Sequence, residues 1–161
     1  MVKNFTSAET VNALKIIFEK HQSERICVIG TMCCGKTTLI KQLPQYNCID
    51  VDDEFWPQIP EKEIKILSQT PITKKIFDSI YKLMCEKVTV KPGFPLFGVA
   101  ILDCEVVVYL DISEKLLEEH CIKRGDTSFA DALFIKKCIE EYWNTHKKKS
   151  EKTFYCLTIT E

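Results

Sequence analysis

Arginine is almost missing from this chain, with only Arg25 and Arg124 set against twenty lysines. A rigid, planar fork on a phosphate or carboxylate is a property of the guanidinium group, so a site built from several arginines is excluded. No run reaches the roughly 18 apolar residues that a membrane span requires, and the opening MVKNFTSAET holds no apolar signal core. The chain is therefore expected to be soluble, unexported and cytoplasmic, with no membrane partner. Neither sign of charge is in excess: the net charge is −1. Without a global positive field, nucleic acid is not an expected partner. The nine cysteines contain no C-x-x-C pair and no zinc-type Cys/His spacing. They are expected to be reduced, and those in apolar runs, such as Cys27 and Cys138, to act as small hydrophobes. Repeats and linkers are also lacking, so residues 1–161 are expected to form one domain.

The order of elements follows from period and caps. Thr6 to Glu9 is a capping box ahead of Val11, Leu14, Ile17 and Phe18, which predicts a helix from about 7 to 21 within an N-terminal segment of 1–24. Arg25 to Ile29 is a short apolar strand, Lys36 to Leu43 a helix stopped by Pro44, and Tyr46 to Ile49 a second strand. Thr70-Pro71 is expected to open a helix carrying Ile72, Ile76, Ile80, Leu83 and Met84 on one stripe. Val88 to Lys91 reads as a third strand, Glu105 to Leu110 as a fourth and Phe154 to Ile159 as a fifth, while Val99 to Leu102 stays open between strand and helical turn. Ser113 and Gly125 bound one helix, and Ser128 with Asp131 opens a long one reaching about His146. Apolar strands alternating with helices predict an α/β fold with a five-stranded parallel sheet covered on both faces and its ligands at the carboxyl ends of the strands.

Gly30-Thr31-Met32-Cys33-Cys34-Gly35-Lys36-Thr37 fits G-x-x-x-x-G-K-[ST] at every specified position, between a predicted strand and a predicted helix. Glycines let the backbone curl so that successive N–H groups face phosphate oxygens. The loop is thus expected to seat ATP, with Lys36 on the β and γ phosphates, Thr37 on Mg²⁺ through its hydroxyl, and Thr38 beginning the helix. The D-x-x-G and N-K-x-D segments of switch GTPases and the LSGGQ-like signature of ABC ATPases are absent.

The segment from Cys48 to Trp56 resembles the D-x-D element after the second strand of shikimate and gluconate kinases, and is similar to the D-D element in the kinase domain of 5′-hydroxyl polynucleotide kinases. Val106 to Ser113, with Leu116, Leu117 and Lys123-Arg124-Gly125, is similar to the fourth strand and the start of the lid in that superfamily. The resemblance implies a three-layer, adenylate-kinase-like P-loop fold with a short lid at about 124–130. It also implies that Asp52 orients the acceptor hydroxyl and takes its proton, that Asp50 holds Mg²⁺ through water, and that Arg124 closes over the transferring phosphoryl group.

The departures bear on the acceptor. No Gly-Gly-Gly follows the third strand and no arginine follows Asp53, so the carboxylate-gripping arginines of shikimate kinases have no counterparts. The acceptor is expected to be a small, nucleoside- or sugar-like alcohol, either uncharged or held by lysine, with Asp52, Asp53, Trp56 and Lys91 on its side of the site. Phe55, Phe94 and Phe97 are either further walls of that pocket or core. Asp103 and Asp111 mimic a metal-binding acid after a strand but read as turn residues, and the lysines at 147, 148, 149 and 152 read as a solvated helix end. Two other readings stay open: ATP binding without turnover, and phosphorylation of a nucleic-acid 5′ end.

Overall fold

The computed structural model describes residues 4–161; residues 1–3 of the expected domain and N-terminal segment lie outside it. β1 (Asn4–Phe5) leads into α1 (Ser7–Lys20), where Thr6 and Glu9 form the reciprocal capping box and Thr10, Leu14, Ile17 and Phe18 are buried. β2 (Ile26–Ile29) is followed by the phosphate-loop segment and α2 (Lys36–Lys41). β3 (Ile49–Asp50) passes directly into α3 (Val51–Phe55), and α4 (Glu61–Leu67) and α5 (Lys74–Lys87) precede β4 (Leu96–Gly98). β5 (Val106–Ile112), α6 (Glu114–Arg124), α7 (Phe129–Lys149) and β6 (Thr153–Ile159) complete the fold.

The sheet has six strands, not five, in the order β1-β6-β5-β2-β4-β3, and all are parallel. The added strand is β1, which pairs with β6 through Asn4–Thr158 and Phe5–Ile159. Two residues before a cap give no periodic signal, so only the pairing reveals it. Successive side chains of β2 and β5 enter opposite cores: Cys27, Ile29, Val107 and Tyr109 face α3, α4, α5 and α7, while Ile26, Val28, Val106, Val108 and Leu110 face α1, α2 and α6. Burial on both faces accounts for the unbroken apolar run of β5.

Several boundaries differ from expectation. The third strand is Leu96–Gly98, not Val88–Lys91: Val88 and Val90 are buried in extended chain without a partner strand, and a turn linking Lys91 to Phe94 separates them from β4. Tyr46 lies in a 3₁₀ turn, which shortens the second strand to Ile49–Asp50. Val99 to Leu102 is neither strand nor helix. Pro71 precedes α5 instead of opening it, because the Thr73 hydroxyl accepts from the Ile76 N–H and sets the cap there. The buried face of α5 is Phe77, Tyr81 and Met84; Ile72, Ile76, Ile80 and Leu83 lie beside it, half-buried.

Candidate active site

β2, β4 and β3 end side by side, and three sequence-predicted groups meet at that carboxyl edge. The first is the loop. The Gly30 N–H donates to the Gly98 carbonyl at 3.0 Å, the last rung between β2 and β4, before the chain curls. Gly35 at φ 100 and Cys33 at φ 62 turn it through the left-handed region. A bulky β-branched side chain is poorly suited there, and glycine pays no steric cost. The Thr31 hydroxyl is buried and donates to the Ala132 carbonyl at 2.5 Å, fastening the loop to the first turn of α7. Lys36 folds back over the loop, donating to the carbonyls of Gly30 and, at 3.1 Å, Thr31. Met32 and Cys33 are half-buried, and Cys34 is buried with its sulfur under Gly30. Thr37 and Thr38 are exposed in the first turn of α2, and their backbone N–H groups donate to no carbonyl among the described residues. They are the unpaired donors every helix start leaves.

The second group is acidic. Asp50 ends β3 and caps α3, accepting from the Asp52 N–H at 3.0 Å with one carboxylate oxygen. Asp52 stands in the first turn of α3 and accepts from the Trp56 indole N–H at 3.0 Å. Asp52 is exposed, as its neighbours Asp53 and Glu54 are, but the protein on the inner side of its carboxyl removes part of its water. That loss of water raises its pKa; the Trp56 bond works against the rise, Asp50 adds to it, the Lys36 ammonium opposes it, and Asp53 adds to it. Asp52 therefore lies within the field of the loop lysine. Asp53 and Glu54 are exposed. α3 sits this low because Gly98 has no side chain: a Cβ there would lie 2.8 Å from Val51 Cγ1. Sequence reasoning missed Gly98, since an isolated glycine after an apolar run does not say what packs on it.

The third is Arg124, the last residue of α6. Its Nη1 donates to Cys33 Sγ at 3.6 Å and its Nε to Asp126 at 2.9 Å, and its pKa is raised, chiefly by the Cys33 bond. One turn earlier, His120 Nδ1 lies 2.8 Å from the Cys33 carbonyl. The expected lid is a tight connection: Gly125 in the left-handed conformation ends α6, and Ser128 already caps α7.

Lys91 is not brought to this edge. It followed the misplaced third strand; it precedes β4 and is exposed at the amino end of the sheet, with Phe94 beside it. Phe55 and Phe97 are core at 0% and 1% exposure, which leaves Trp56, half-buried, as the aromatic residue at the site. Asp103 pairs with Arg25, and Asp111 with the buried Lys136, so neither stands free. Lys152 reaches the Cys104 carbonyl just ahead of β5, at the sheet edge opposite the loop. The Thr37 hydroxyl and the Asp50 carboxylate are hard oxygen donors of the kind Mg²⁺ takes, one or two per site alongside phosphate and water. No cluster of three or more His, Cys, Asp or Glu side chains that would hold a metal by itself occurs among the described residues. No helix among them is long and apolar enough to cross a membrane.

No protein-family model matches the chain, and comparison with curated proteins returns no match. Among solved structures it is similar to a gluconokinase from Sinorhizobium meliloti 1021, at 15% identity and a TM-score of 0.48, over 86% of this chain and 83% of that one. It is also similar to a shikimate kinase from Bacteroides thetaiotaomicron, at 14% identity and a TM-score of 0.40, over 81% and 85%. Likeness at this level concerns the path of the chain alone. The strand order and the strand-loop-helix around Gly30 to Thr37 themselves place the fold among the α/β P-loop architectures.

Proposed function

We propose that this chain is an ATP- and Mg²⁺-dependent phosphotransferase that moves the γ-phosphoryl group to a hydroxyl of a small nucleoside- or sugar-like molecule. The observation that carries the reading is the position of Asp52: a partly desolvated carboxylate, raised in pKa, within the field of the loop lysine at the carboxyl edge of the sheet. Carboxylates tuned upward in this way suit proton transfer near neutral pH.

In this scheme the loop amides and Lys36 bind the β and γ phosphates, and Thr37 and Asp50 hold Mg²⁺, which neutralises phosphate charge when bound. Asp52 orients the acceptor hydroxyl and takes its proton as the oxygen attacks the γ phosphorus and the bond to the leaving diphosphate breaks. Trp56 orients Asp52 through its N–H and offers its ring to the acceptor, beside Asp53. Arg124, released from Cys33, meets the charge spread over the transferring group, where positioning does most of the catalysis. With no second arginine near and Lys91 at the far edge, the acceptor is uncharged. ATP binding without turnover is the second reading; it draws on the tight α6–α7 connection, which leaves little chain to close over the site.

Incubation with ATP, Mg²⁺ and pooled nucleosides, sugars, polyol acids and 5′-hydroxyl oligonucleotides, followed by ADP release, separates these readings. An alcohol of the first two classes is expected to be phosphorylated. Tight ATP binding with no acceptor turned over favours the second reading instead, and turnover of oligonucleotides alone contradicts the small-molecule assignment.

A further inference from the structure

We propose that Cys33 and Cys121 form a peroxide-sensitive thiol pair, a modification site that ties the middle of the phosphate loop to the last turn of α6. Three neighbouring residues of that turn hold Cys33. His120 Nδ1 meets its carbonyl at 2.8 Å, Arg124 Nη1 donates to its sulfur at 3.6 Å, and Cys121, between those two on α6, is buried in the core cluster against which Cys33 packs. Cys33 is half-buried and thus reachable by a small oxidant, whereas Cys121 is 3% exposed and reachable chiefly through Cys33. The other paired thiols, Cys27 and Cys104, are both buried at the amino end of the sheet. Cys34, next in sequence, is buried with its sulfur packed under Gly30. One accessible sulfur, one resolving thiol beside it and a cationic side chain facing the attacking sulfur make the arrangement of a redox-sensing pair.

The chemistry needs a peroxide as oxidant and closes without any other reagent. The Cys33 thiolate attacks a peroxide oxygen, the O–O bond breaks and a sulfenic acid forms with release of hydroxide, which takes up a proton as water. The Cys121 sulfur then attacks the sulfenic sulfur, its proton leaves with the departing hydroxyl as a second water, and the S–S bond closes. Two thiols and one hydrogen peroxide give one disulfide and two waters. A bond of about 2.05 Å between the two sulfurs draws Cys33 onto α6. The loop amides on either side move with it, and Arg124 loses its sulfur partner. The consequence for ligand binding rests on the nucleotide reading above: the oxidised protein binds Mg-ATP at least tenfold more weakly, and thiol reductant restores binding.

The test treats the reduced protein with hydrogen peroxide, with and without Mg-ATP, and maps non-reduced peptides by fragmentation mass spectrometry beside calorimetric titration of ATP. The expected result is a Cys33–Cys121 peptide that dithiothreitol removes and Mg-ATP suppresses. Cys121→Ala, with Cys121→Ser as the second variant, forms no such peptide and keeps its ATP affinity through peroxide treatment. A Cys33–Cys34 link, or Cys33 sulfinic acid with no cross-link, overturns the pair. So does a full-yield cross-link that leaves ATP affinity unchanged, as regards its effect on the loop. If the cross-link forms but the reduced protein binds no ATP, the pair stands and the nucleotide reading fails.

Discussion

The indole N–H of Trp56 donates to the carboxylate of Asp52 at 3.0 Å, one helical turn along from the end of β3. That bond favours the ionised carboxylate, against the desolvation and the neighbouring Asp50 that disfavour it. The acidity of the proposed base is therefore tempered by a residue also proposed to face the acceptor.

Trp56→Phe keeps the ring and removes the N–H. With one ionising influence gone, the Asp52 pKa climbs further, and because only the carboxylate accepts a proton, the acid limb of the rate profile moves to higher pH. Measured kcat/KM against pH, with the phosphorylated acceptor as readout, is expected to show that shift. An unmoved acid limb contradicts the role given to the bond.

Asp52→Asn is expected to stabilise the protein while disabling it. A carboxyl whose pKa rises on folding holds its proton more tightly in the folded state. It favours folding below its unfolded pKa, and that contribution is lost as pH rises through the folded value. At neutral pH the ionised Asp52 thus costs stability that asparagine does not. The variant should melt above the parent at neutral pH, with the gap closing as the medium is made acid, while phosphoryl transfer falls by about 10²- to 10⁴-fold. A variant that melts lower at neutral pH, or an active one, contradicts the assignment.

Gly98→Ala tests how the sheet positions the base. The new methyl meets Val51 at 2.8 Å, so α3 must lift. Overpacking of this kind costs roughly 1–3 kcal/mol. Denaturant melts should show that loss, and turnover should fall more than ATP affinity, because the loop is displaced less than Asp52. Adding Val51→Ala should recover part of both. Equal losses in ATP affinity and turnover would place the effect in the loop.

Lys136, 9% exposed, donates to Asp111 and Glu140 at 2.8 Å each. Burial opposes its charge, but the two bonds outweigh it and its pKa is raised. Lys136→Met takes the shared ammonium from both carboxylates and leaves Glu140 with the Tyr109 hydroxyl and Asp111 with that of Thr158 as donors, at a cost of about 1–3 kcal/mol by analogy with other unsatisfied groups. Denaturant unfolding at neutral pH should show this loss, and acid that protonates the carboxylates should shrink it. No loss at neutral pH contradicts a structural role for the trio.

What the sequence made legible was chemistry fixed by local spacing. The strand and helix flanking Gly30 to Thr37, the Thr6–Glu9 capping box, the Ser113, Gly125 and Ser128 caps and the apolar run of β5 are each decided by neighbours in the chain, and each takes the local form expected. The third strand was not legible, because V-T-V has stronger β character than L-F-G, and only pairing with Cys27, Val28 and Ile29 selects the latter. The misplacement of Lys91 follows from that one error. α4 and β1 were missed because they are short, and Gly98 because its meaning lies in Val51, far away in sequence. Asp52 was singled out by resemblance alone, and its bond to Trp56 and the tight α6–α7 connection needed the fold.

Every role assigned above depends on the loop holding nucleotide phosphates, and calorimetric titration of Mg-ATP into the parent and Lys36→Ala measures that directly. Lys36 is half-buried and, among the described residues, its ammonium donates to the loop carbonyls of Gly30 and Thr31, so the variant should remain folded by circular dichroism. The account expects saturable binding by the parent and at least a tenfold loss in the variant, the scale set by about 1.4 kcal/mol of lost interaction. Equal affinity in a folded variant, or no binding by the parent, would contradict it.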